Sequence, residues 1–113
     1  MEIVTEEITL ASLREMAAKK FGDMLKAVVD VERGIMAIDG ELHADEEGLL
    51  LENGSKQASL WGINIYPDVA GDDWLEFDSL INLRPSQGNR SRGVEDLQLR
   101  EKIKGVVSRL VRR

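Results

Sequence analysis

The sequence predicts an α+β fold: a mainly antiparallel sheet built from two hairpins, with three helices packed on it. Three observations carry this. Apolar residues recur at helical spacing from Leu10 to Phe21 and from Leu99 to Leu110, and they alternate from Leu25 to Val31 and from Trp61 to Ile65. Turn-forming pairs such as Arg33-Gly34, Asp39-Gly40 and Asn53-Gly54 punctuate the stretches between.

In chain order, Glu2-Ile3-Val4 offers a short edge strand. Thr9 can cap a first helix with Leu10, Leu13, Met16, Ala17 and Phe21 on one stripe, and Gly22 stops it. Leu25, Ala27, Val29 and Val31 alternate with polar residues before Arg33-Gly34 turns the chain into Ile35-Met36-Ala37-Ile38, a hairpin. Residues 44 to 52 read as a short helix, with Asp45, Glu46 and Glu47 at the end where the dipole favours acids and Asn53-Gly54 as the C-cap.

Trp61, Ile63 and Ile65 then alternate in one strand, and Leu75, Phe77, Ile81 and Leu83 in the next. Pairing Tyr66 with Trp74 sets Asn64 opposite Glu76 and Gly62 opposite Asp78, which gives the hairpin an apolar odd face and a polar even face. Asp96 can cap the last helix, whose stripe is Leu99, Ile103, Val106, Val107 and Leu110. No repeat, low-complexity tract or linker divides the chain, so a single globular domain over residues 1–113 is expected.

Composition narrows the function classes. The 113 residues are 42% hydrophobic, and 15 lysines and arginines against 21 acids leave a formal charge of −6. That charge disfavours non-specific binding to nucleic acid and to anionic membranes. The absence of cysteine excludes disulfides and thiolate metal sites. With no signal-peptide pattern at Met1-Glu-Ile-Val and no apolar run of membrane-spanning length, a cytoplasmic, soluble protein is expected.

Residues 84–95, Arg-Pro-Ser-Gln-Gly-Asn-Arg-Ser-Arg-Gly-Val-Glu, form a polar loop that sets three arginines between a strand and the last helix. Guanidinium forks suit an anion or carboxylate, so Arg84, Asn89, Arg90 and Arg92 are candidate ligand-binding residues, with Asn64, Tyr66 and Asn82 of the polar strand face orienting the ligand. The same arginines can instead pair with Glu76, Asp78 or the acidic middle helix and tie the loop to the body. The loop lacks both the Gly-Lys-Ser/Thr ending of a phosphate loop and the Gly-x-Gly-x-x-Gly dinucleotide spacing.

Three blocks, Gly-Glu-Leu-His-Ala-Asp-Glu-Glu at 40–47, Leu-Trp-Gly-Ile-Asn at 60–64 and Ile-Asn-Leu-Arg-Pro-Ser-Gln-Gly-Asn-Arg-Ser-Arg-Gly-Val-Glu-Asp at 81–96, resemble a family of small prokaryotic proteins classed as a domain of unknown function. The resemblance covers nearly the whole chain and implies a free-standing domain of prokaryotic type. It carries no established activity, so it transfers no catalytic residue.

His43 is the only histidine. Beside Glu41 and Asp45 it could act as a general base or metal ligand, but it lacks the spaced partners of metal motifs, which favours a histidine hydrogen-bonded at a helix start. The carboxylates show no EF-hand spacing. No metal and no cofactor are therefore expected. Ser79, Ser86 and Ser91 lie outside any Gly-x-Ser-x-Gly elbow. Trp61, Trp74 and Tyr66 suit the core or a subunit contact, and a homodimer is expected.

Two functions follow. The preferred one is a small binding or interaction module in which the arginine loop holds an anionic small molecule or an acidic partner surface. The other is a small phosphoester hydrolase in which His43 or Glu41 activates water, Asp45 and Asp78 position it or a metal, and the arginines stabilise developing negative charge.

Overall fold

The structure is a computed structural model that describes residues 1–113. Its centre is a five-stranded antiparallel sheet of β1 (Glu2–Val4), β4 (Ile35–Gly40), β3 (Leu25–Asp30), β5 (Leu60–Ile65) and β6 (Leu75–Glu76), in that spatial order. Helices α1 (Leu10–Lys20) and α3 (Leu97–Leu110) cover one face, and α2 (His43–Glu52) covers the other. A two-residue parallel pairing of β2 (Ile8–Thr9) with β7 (Val111–Arg112) ties the start of α1 to the end of α3, a contact too short for alternation to reveal.

The helices begin and end by local chemistry. Thr9 accepts a hydrogen bond from Ser12 N–H at the head of α1, and Gly22 at φ 95° returns its N–H to Ala17 at the tail. Asp96 caps α3 through Gln98 and Leu99 N–H. Asp30 builds the β3–β4 turn: its carboxylate accepts from Glu32 and Arg33 N–H and from Ser55 Oγ.

Strand alternation divides the core. Leu25, Ala27, Val29, Trp61, Ile63 and Ile65 face α1 and α3, while Val28, Ile35, Ala37 and Leu60 pack with Leu50 of α2. Asp39, at φ 65°, is the extra residue of a bulge: Lys26 pairs with Gly40 but Ala27 pairs with Ile38. Lys20 meets Asp39 through both its carboxylate and its carbonyl.

The second hairpin departs from the expected register after two pairs. Asn64 opposes Glu76 and Tyr66 N–H donates to Trp74, as the spacing requires, but the ladder ends at Glu76. Gly62 has no strand partner in Asp78. Instead the Asn82 side chain behaves as a peptide group, accepting from Gly62 N–H at 2.8 Å and donating to Gly62 C=O at 2.9 Å. Ile81 consequently packs on the α2 side, and Leu83 is exposed rather than buried with the odd face. Ser79 sits so close that a Cβ on Gly62 would lie 2.6 Å from it, so a side chain there would push this segment away.

Glu46 locks α2 to the sheet. It is fully buried, its Oε2 accepts from Gly40 N–H at 2.9 Å, and its Oε1 has no partner. A Cβ on Gly40 would sit 2.7 Å from Glu46 Cγ, so the close approach requires glycine there. Burial pushes the Glu46 carboxyl up to about 9, so it stays protonated at neutral pH. Below pH 4.5 both folded and unfolded chains hold this proton; between there and about 9 only the folded chain does, so stability falls as pH rises through that window. Glu46→Gln keeps an acceptor for Gly40 and removes this titration. Its stability advantage over the parent, measured by urea unfolding from pH 5 to 8, is expected to grow with pH at up to about 1.4 kcal/mol per unit; a constant difference would show that Glu46 is ionised in the fold.

Candidate functional site

The polar loop folds back on the open edge of β5. Arg84 and Asn89 exchange backbone hydrogen bonds, and the turn between them runs through Pro85–Gln87 to Gly88 at φ 77°. Asn89 is buried and joins the ends of the loop: its amide N donates to Asn82, Ser91 and Gly93 carbonyls, and its Oδ1 accepts from Glu95 N–H. Glu95 in turn accepts from Arg90 and Ser91 N–H. Sequence reasoning placed these residues in one loop, and the structure keeps them together.

Arg84 faces inward. Its Nε donates to Ile81 C=O at 2.9 Å and its terminal nitrogens to Gln57 and Leu60 carbonyls at 2.9 and 2.5 Å. The guanidinium lies 4.6 Å from the Trp61 ring and 3.5 Å from Glu47 of α2. Burial lowers its pKa and Glu47 opposes that shift. Glu47 Oε2 is itself buried without a hydrogen bond, so the Arg84 charge is what it meets. Arg84, Asn82 and Asn89 thus have their donors engaged by the protein.

The other two arginines are exposed. Arg90 makes no side-chain hydrogen bond or ion pair and lines no cavity, whereas Arg92 Nε holds Asp78 at 2.7 Å. On the polar strand face, Asn64 donates to Glu76 at 2.8 Å, and Tyr66 Oη reaches the same carboxylate at 3.4 Å. Burial, then the Glu76 charge, raises the Tyr66 hydroxyl. Trp61 and Trp74 are core residues, which leaves Tyr66 as the half-exposed aromatic of the three.

The residues of the hydrolytic reading separate. Glu41 and Asp45 line an open depression with Lys20, Asp39 and Glu52, whereas His43 points the other way. His43 is buried, and its Nε2–H donates to Ile63 C=O at 2.8 Å, which fixes the proton on that nitrogen of the neutral ring. Burial is the main cause of its lowered pKa; the Ile63 bond and Asp78 oppose it, while Lys26 and Arg92 add to it. Four or more carboxylates cluster by sequence, but no group of three acids or histidines has metal-site geometry.

What His43 does join is a cavity of about 230 Å³, lined by Lys26, Leu42, His43, Ala44, Ser79, Leu80, Ile81 and Arg92. The start of α2 forms one wall, with Leu42 at the N-cap position and no side chain capping the helix. Lys26, Leu42 and Leu80 were missed by sequence reasoning. Lys26 looks like any solvated residue of an alternating strand, and only the sheet register and the loop closure bring it to Arg92.

Residues 2–110 match the sequence model of a family described as Protein of unknown function (DUF5674). The chain belongs to this family. No curated protein and no solved structure matches it. No helix of this family member is long and apolar enough to cross a membrane.

Arg84 and Arg90 should separate cleanly under substitution. Arg84→Ala strands the Glu47 carboxylate and three carbonyls, an expected loss of about 3 kcal/mol of unfolding free energy. Arg90→Ala is expected to stay within about 0.5 kcal/mol of the parent. Denaturant titration of both variants checks this, and equal effects would contradict the inward placement of Arg84.

Proposed function

We propose that this protein is a small binding module whose anion-holding site is the cavity where the last arginine of the loop meets β3. The observation that carries the reading is the convergence of Lys26 and Arg92 on one cavity beside the uncapped start of α2. Lys26 is in no ion pair, its ammonium lying 5.4 Å from the Phe21 ring, and Arg92 uses only Nε on Asp78, so its two terminal nitrogens make no hydrogen bond. Two cations with donors to spare, next to the positive end of a helix dipole, favour a carboxylate or phosphate. In an acidic chain such a site is a local exception to the overall field.

The site recognises rather than transforms. His43 is neutral and tethered, and Glu41 and Asp45 lie in a different depression, so no acid and base converge on a bound group. The arginine loop contributes Arg92 to the ligand and uses Arg84, Asn82 and Asn89 to hold Arg92 in place: Asn82 and Ser79 N–H both bind the Arg92 carbonyl.

Amide chemical-shift mapping with inorganic phosphate and with a glutamate homopolymer tests this. The largest shifts are expected at Lys26, His43, Ala44, Ser79 and Arg92, and Lys26→Ala or Arg92→Ala should weaken binding about tenfold, the scale of one charge-assisted hydrogen bond. Shifts centred on Arg90, or unaffected by either variant, would refute the site.

A further inference from the structure

We propose that the partner of this site is an acidic segment of another protein that carries leucine-sized side chains among its carboxylates, laid across a groove from Phe21 over Leu42 to Leu80; the inference rests on the anion-holding reading above. Leu42 lines both the cavity containing Lys26 and Arg92 and a neighbouring open depression of about 540 Å³ formed with Lys19, Lys20, Phe21 and Glu41, so the two adjoin at Leu42. Phe21, Leu42 and Leu80 are 41%, 55% and 67% exposed. They form an apolar floor between basic edges, the composition that reads both parts of an acidic, amphipathic ligand.

Leu42 carries the argument furthest. It has extended backbone angles, φ −128° and ψ 145°, at the N-cap of α2, the position where Ser, Thr, Asp or Asn accepts a helix N–H. Leucine cannot accept one, and at 55% exposure it does not belong to the core either. It neither caps nor packs, so its role lies with something outside the isolated chain. Leu80 is placed alike, in a surface turn whose cap is Ser79 and whose own side chain points to solvent.

Charge decides the partner. Lys19, Lys20, Lys26 and Arg92 border the groove against a single lining carboxylate, Glu41; Lys20 and Arg92 are partly satisfied by Asp39 and Asp78, whereas Lys19 and Lys26 have no ion pair. The chain as a whole is at −6. A basic segment would be drawn to the acidic remainder of the surface and repelled by the lysines and arginine that border this groove. A nucleic-acid backbone would leave the leucines uncovered.

Fluorescence anisotropy with three short labelled peptides tests the proposal: one of glutamates with interspersed leucines, one with serines replacing the leucines, and one with lysines replacing the glutamates. The leucine–glutamate peptide is expected to bind about tenfold more tightly than the serine version, and the lysine version not to bind. Leu42→Ser and Leu80→Ser should each weaken it about tenfold, while Leu42→Ser raises the melting temperature because serine can cap α2. Both variants alter exposed side chains, and the melting temperature shows that the fold is retained. Equal affinity for the leucine and serine peptides, unchanged by the leucine variants, overturns the groove and leaves the anion site standing. Absence of binding by either acidic peptide, together with no phosphate shifts, removes both. Binding of the lysine peptide, or a dimer in sedimentation that Leu80→Ser dissociates, overturns the acidic-segment assignment in favour of non-specific contact or a second copy.

Discussion

The structure turns on the open edge of β5. A strand in the middle of a hydrophobic sheet must satisfy its N–H and C=O groups on both sides, and here its partner β6 stops after two residues. The remaining groups are met by side chains: Asn82 supplies an amide in place of a peptide at Gly62, and Arg84 takes the Leu60 carbonyl. Removing a strand while satisfying its hydrogen bonds needs residues with peptide-like donors and acceptors, which explains why the loop is rich in asparagine and arginine. It also explains why Gly62 lies where it does, since the replacement segment passes within contact of its Cα.

That solution determines where Arg92 ends up. The Asn82 amide bridges Gly62 C=O and Arg92 C=O, and Asn89 gathers the carbonyls on either side. The loop is therefore rigid at its base, and Arg92 is presented next to α2 and β3. Arg84, at the start of the same loop, stacks on Trp61 and neutralises Glu47, so one loop both seals the core and delivers a cation to the surface. The two roles cannot be exchanged: a buried guanidinium with every nitrogen bonded has nothing left for a ligand, and an exposed one held by a single bond does little for stability.

The periodic parts of this fold were legible in the sequence because each obeys a local rule. The stripe of α1 from Leu10 to Ala17, its Thr9 cap, the β3–β4 hairpin, the Asn64–Glu76 register and the Asp96 cap all follow from spacing and side-chain chemistry within a few residues, whereas Phe21, spaced as the last member of that stripe, falls past the end of the helix and is exposed. The second strand was overextended because Phe77, Ile81 and Leu83 keep an odd-numbered pattern that a turn interrupts unseen. The spacing makes Asn82 a member of the polar strand face that could orient a ligand, since nothing local says that an asparagine replaces a peptide sixty-odd positions into the chain and twenty residues from its partner. The arginines were rightly placed in one loop, but whether each turned inward or outward depended on contacts with Glu47, Leu60 and Asp78 that lie far away in sequence. Glu46 is similarly legible in the sequence only as an acid favoured by the helix dipole, whereas α2 buries it against Gly40.

What remains after the core, the caps and the edge have been accounted for is a small set of residues that break local rules without structural return. Natural sequences are consistent across levels except where function demands otherwise. Glu46 breaks a rule, yet it binds Gly40 and fills the space under α2. Asp39 breaks one, yet its φ of 65° creates the bulge and its charge meets Lys20. Leu42 has no such compensation: its backbone is set for a cap, its side chain cannot supply one, and it lies exposed between two basic depressions. A partner that covers Leu42 and Leu80 while neutralising Lys26 and Arg92 would supply the missing compensation from outside. The local defect in helix capping and the local excess of positive charge thus coincide on the same surface.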